Sequence, residues 1–170
     1  DTACSSLTRL SATVIPDDFQ PVFTFLPPSS RAPLDWLYTV LDSGQIDRFL
    51  LYLESWGPLG FSDCKKALSL ILPHCRSVRH LTLEFPPSGV LTLPPEILET
   101  LKDNLPHVKT LVFSGQNPSE RDCDSFARVS AQCCPHLREV EVDSDGGGSQ
   151  VYVCGDGKAY RWKPGAAHLR

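Results

Sequence analysis

The sequence predicts an α/β fold: a right-handed solenoid with parallel strands inside, helices outside and a C-terminal β-hairpin cap. Two observations carry this. Four segments share one strand pattern, apolar-x-x-apolar-x-apolar, at Ile46–Leu51, Val78–Leu83, Val108–Phe113 and Leu137–Val142. Helical patterns fall between them, so strand and helix alternate at steps of 32, 30 and 29 residues between the starts at 46, 78, 108 and 137. A near-constant period of this length marks repeated strand–helix units that bury their apolar faces only by stacking on one another.

The elements follow in order. Residues 1–32 hold Leu7 and Leu10, then Pro16, Pro21, Pro27 and Pro28, and read as an irregular N-terminal cap or a first partial repeat. Residues 33–144 hold the repeats. The helix from Pro33 to Leu41 carries Leu34, Leu37 and Leu41 on one face, and Gly44 follows as its stop. A second helix, Ser62 to Leu72, aligns Cys64, Ala67, Leu68, Ile71 and Leu72. A third opens at Pro94-Pro95 and carries Ile97, Leu98, Leu101 and Leu105. The last begins at Ser119, with Asp122 three residues on as an acidic capping box, and buries Cys123, Phe126, Ala127 and one of Cys133 and Cys134. Leu72-Pro73-His74, Leu105-Pro106-His107 and Cys134-Pro135-His136 read as equivalent proline stops, because proline cannot continue a helix. Residues 145–170 begin with a flexible glycine-rich loop over 144–149. Val151–Cys154 and Ala159–Trp162 then flank Gly155-Asp156-Gly157-Lys158 as a hairpin.

With these residues in place the chain resembles leucine-rich-repeat proteins with helical outer faces. The run Cys134-Pro135-His136-Leu137-Arg138-Glu139-Val140-Glu141-Val142 is similar to the cysteine-containing repeats of F-box proteins. Leu105 stands where that cysteine would be in the preceding repeat, and Cys75 looks displaced by one residue. The resemblance covers residues 46–144. It implies a role in recognising a protein partner or substrate, as in an F-box-type ubiquitin-ligase subunit.

Composition narrows the function. The net charge of −4 supplies no basic stripe for nucleic acid, and no apolar run reaches the length of a membrane span. No signal peptide opens the chain, and its start at Asp1 without Met suggests a piece trimmed from a longer protein. Seven cysteines, an odd number with no C-x-x-C, point to reduced thiols and hence to cytoplasm or nucleus, with the mitochondrial matrix as an alternative.

No catalytic constellation is present. The chain lacks G-x-S-x-G, G-x-x-x-x-G-K-[ST], H-E-x-x-H and G-x-G-x-x-G. The Pro-His pairs invite a zinc reading. Histidines in a row at steps of roughly 4.8 Å do not make a tetrahedron of ligands at about 2.0–2.3 Å, so neither metal nor other cofactor is expected. Glu120, Asp122 and Asp124 crowd a helix start, where the dipole accounts for them. Cys154 has only Lys158 nearby to activate it.

Strand alternation places the candidate surface on the inner face. Phe49, Leu51 and their equivalents point into the core. Three outward ladders remain: Arg48, His80, Thr110, Glu139; Leu50, Thr82, Val112, Glu141; and Tyr52, Glu84, Ser114, Asp143. One end is mixed and partly apolar at Leu50 and Tyr52, and the other is acidic. Trp56 and Trp162 are candidate anchors or end plugs. The expected partner is another protein, with no nucleic acid, membrane or small molecule. The alternatives are a structural or assembly subunit of a multiprotein complex, and a small α/β enzyme or ligand-binding domain.

Overall fold

A computed structural model describes residues 9–15, 20–23, 34–53, 68–84, 95–116, 119–144 and 148–162. Leu7, Cys64, Ala67, Pro94, Trp56 and the tip of the glycine-rich segment at 145–147 lie outside the described residues, as do the side chains of Leu34, Ile97 and Leu98.

Among the described residues eight strands form one sheet: β1 (Arg9–Ile15), β2 (Gln20–Phe23), β3 (Arg48–Leu53), β4 (His80–Glu84), β5 (Thr110–Gln116), β6 (Glu139–Ser144), β7 (Gly148–Gly155) and β8 (Lys158–Arg161). Their spatial order is β2-β1-β3-β4-β5-β6-β7-β8. The helices are α1 (Leu34–Asp42), α2 (Pro95–Asn104) and α3 (Glu120–Cys133). Residues 68–71 are also helical and run into a 3-10 turn at Leu72–His74.

This overturns the expected leucine-rich-repeat-like solenoid of parallel strands with a hairpin as a separate cap. The sheet is mixed: β2 pairs antiparallel with β1, β7 with β6, and β8 with β7. The reason is chain length. A parallel return needs a crossover of about a dozen or more residues. Only residues 16–19 separate β1 from β2, and only 145–147 separate β6 from β7. Both connections force a reversal. Gly148 and Ser149, expected in a flexible loop, already belong to β7. The turn from β7 to β8 is Asp156-Gly157, with φ of 52° and 72°, the double positive φ of a tight hairpin whose twist matches its strands.

The central strands β3 to β6 run parallel, in register as Phe49, Leu81, Leu111, Val140 and as Leu51, Leu83, Phe113, Val142. All eight are buried, together with Leu37 and Leu41 of α1, Leu101 of α2 and Phe126 of α3. The helices therefore cover one face of the sheet. Phe113 and Phe126 meet edge to face, centroids 4.1 Å apart.

Helix ends obey local rules. Ser119 caps α3 by accepting the Asp122 backbone N–H at 3.2 Å, while its hydroxyl donates to the Asp122 carboxylate at 2.5 Å. Gly44 follows α1 with φ of 75°, the left-handed stop that glycine adopts without strain.

The three proline stops are not equivalent. The backbone N–H groups of Val78, Val108 and Leu137 close identical turns on the carbonyls of Cys75, Leu105 and Cys134. Cys75 is therefore in phase with Leu105 and Cys134, all three buried, and Pro73-His74 sits three residues early. What repeats is the buried side chain three residues before the strand's first apolar residue. Cys134, with 2% of its surface exposed, fills that place, and Cys133 is half-buried.

Candidate functional site: the helix-free sheet face

The register assembles most of the expected ladders. Arg48, His80, Thr110 and Glu139 are Cα partners from strand to strand, as are Leu50, Thr82, Val112 and Glu141. The third row runs Tyr52, Glu84, Ser114 and then breaks. A register shift between Phe113 and Gln116 carries Asp143 out of it, and Asp143 pairs across to Ser149 on β7 instead. No described helix covers this face, because strand alternation turns it away from the buried core.

Charge along the face is uneven. At its first end, Asp47 forms an ion pair with Arg79 Nε at 3.7 Å and lies 4.0 Å from His80 Nε2. Tyr52 lies beside Glu84. Burial first, then the charge and the hydrogen bond of that carboxylate, raise the Tyr52 phenol above its ordinary value. At the other end Glu139 and Asp143 are exposed, and half-buried Glu141 accepts from the Ser149 hydroxyl.

The apolar anchors lie elsewhere than the sequence suggested. Leu50 and Tyr52 are half-buried. The large exposed apolar groups of the face are Val153 (49% exposed), Tyr160 (62%) and Trp162 (49%). Register explains their place. Glu139 pairs with Val153 and Val153 with Tyr160, while Glu141 pairs with Val151, whose carbonyl accepts the Trp162 backbone N–H at 2.8 Å. The apolar cluster thus borders the acidic rows. Trp162 was an anticipated anchor; Val151, Val153 and Tyr160 were missed, although their spacing of two residues was a readable signal.

The reverse side of the hairpin is pinned. Tyr152, 2% exposed, donates its hydroxyl to Asp124 of α3 at 2.6 Å, and Arg161 pairs with Glu120. Burial, then the bond to Asp124, raise the Tyr152 phenol.

The remaining candidates separate. His107 and His136 stack with centroids 6.4 Å apart, whereas His74 stacks on Tyr38 at 4.1 Å and bonds Asp42 at 2.9 Å. Among the described residues no group of three or more His, Cys, Asp or Glu side chains could hold a metal ion. The five described cysteines are free. Burial and the Asp42 carboxylate raise the Cys75 thiol. Burial, then Glu139, push the Cys154 thiol up to about 11; burial, then the neighbouring Cys133 and Cys154, do the same for Cys134. Such thiols are protonated at neutral pH and weakly nucleophilic.

What the face can do chemically is present carboxylates beside aromatic rings. No described helix is long and apolar enough to cross a membrane. The chain matches no protein-family model, no curated protein and no solved structure.

Proposed function

We propose that this chain is a protein-interaction module, the partner-recognition part of a larger adaptor, that binds through the helix-free face of its sheet. The observation that carries the reading is the cluster of Val153, Tyr160 and Trp162, with Val153 directly beside Glu139 and the two rings one strand further out. Exposed aromatic groups in one cluster favour an interface, and a flanking acidic row selects a partner that sets basic residues next to apolar ones.

The test is cross-linking and affinity purification with quantitative mass spectrometry. Wild type is compared with Tyr160→Ala/Trp162→Ala and with Glu139→Lys/Glu141→Lys. Both double variants lose the same partner, while Arg128→Glu on the exposed side of α3 retains it. Removing Trp162 changes stability by no more than about 0.5 kcal/mol, as for other surface groups. Retention of every partner by both double variants excludes the reading.

A further inference from the structure

A second surface differs in sign from the first. The residue just before each of β3 to β6 occupies one structural position, and along the sheet that position reads Asp47, Arg79, Lys109, Arg138. The backbone locks the row. The N–H of Arg79 donates to the Asp47 carbonyl at 2.9 Å, that of Lys109 to the Arg79 carbonyl at 2.7 Å, and that of Arg138 to the Lys109 carbonyl at 2.8 Å. These four residues, with His107 and His136, line an open groove of about 690 Å³ at the starting edge of the strands. Among its described lining residues the one carboxylate, Asp47, lies at an end and is already engaged by Arg79. Lys109 and Arg138 make no ion pair among the described residues.

We propose that this groove is a second binding site, for a short acidic segment of a protein partner. Three observations select that ligand. The cations form a row on adjacent strands at steps of roughly 4.8 Å rather than converging on one point, which suits carboxylates spread along a peptide better than a single small anion. The stacked imidazoles of His107 and His136 add ring N–H groups and flat apolar faces beside the row. The run ends where Glu139 and Glu141 begin on the adjoining face, so a long polyanion such as RNA meets repulsion where it leaves the groove. The groove is distinct from the aromatic–acidic face and asks for the opposite charge. One chain can therefore hold two segments at once, or a single partner whose charge alternates.

The experiment is fluorescence anisotropy with the 170-residue chain and a labelled short peptide alternating Glu and Gly. A Lys/Gly peptide, a short oligouridylate and inorganic phosphate are run in parallel. The acidic peptide binds saturably and more weakly as salt rises. Lys109→Glu/Arg138→Glu lowers its affinity by at least about tenfold. Lys109→Gln/Arg138→Gln, with an unchanged circular dichroism spectrum, lowers it less. Glu139→Lys/Glu141→Lys does not weaken it, which separates this site from the sheet face. Lack of saturable binding by wild type, or equal binding by the charge-reversed variant, overturns the proposal. So does tighter binding of the oligouridylate, or full displacement of the peptide by millimolar phosphate.

Discussion

The central strands and the C-terminal hairpin belong to one sheet but solve the burial problem differently. In β3 to β6 one face is sealed by helices, and the opposite face carries mostly half-buried groups such as Thr82, Thr110, Val112 and Ser114. In β7 and β8 the sealed side rests on α3 through Tyr152–Asp124 and Arg161–Glu120, and the free side exposes Val153, Tyr160 and Trp162. A strand inside the parallel stack has neighbours on both sides to shield its outward residues. Among the described residues no further strand lies beyond β8, and the rings there stay open to solvent. Among the described residues the β7–β8 edge of the sheet, and not its centre, therefore holds the uncovered apolar surface.

The largest effect that sharpens this contrast is in the centre. Leu111→Ala, at a fully buried site between Leu81 and Val140, lowers stability by about 2–5 kcal/mol in chemical denaturation. A loss as small as that of a surface substitution would contradict a single core running through all four strands. Gly157→Ala comes next. With φ of 72° it costs about 1 kcal/mol, read as faster amide exchange confined to β7 and β8. Equal acceleration in β4 would show that hairpin and centre unfold as one unit.

The smallest effect is chemical. A thiol pushed up to about 11 stays protonated in the fold well above the pH at which an unfolded thiol ionises. Cys154 alkylation by iodoacetamide is therefore slow at pH 8 and accelerates only as pH nears 11, while fully buried Cys75 stays unreactive until the chain opens. The sign for stability is the same. The unfolded thiols ionise first as pH rises, so the contribution of Cys134 and Cys154 is whole below about pH 9 and lost by about 11. Rapid labelling of Cys154 at neutral pH would contradict this.

Much of the surface could be read from residue order. Strand side chains alternate with a period of two, so once Ile46, Val78, Val108 and Leu137 are recognised as equivalent, the partners Arg48, His80, Thr110 and Glu139 follow. Asp143 could not be placed this way, because a local register shift in β5 has no counterpart in composition. The prolines misled for a related reason. Pro73 stands three residues earlier, relative to its strand, than Pro106 and Pro135 do, and what keeps phase is the buried residue at Cys75, Leu105 and Cys134. Strand direction at the edges was legible but unread: connections of three and four residues cannot carry a parallel return.

Residue order thus determined the local features: alternation along each strand, the Ser119 cap, the Gly44 stop and the Asp156-Gly157 turn. Each depends on backbone geometry within a few residues. Only the folded sheet decided that Val153 stands between Glu139 and Tyr160, and that Arg79, Lys109 and Arg138 line one groove. Those neighbours are far apart along the chain. They meet because burying the apolar face of every strand at once admits one register, and that register is a property of the whole sheet.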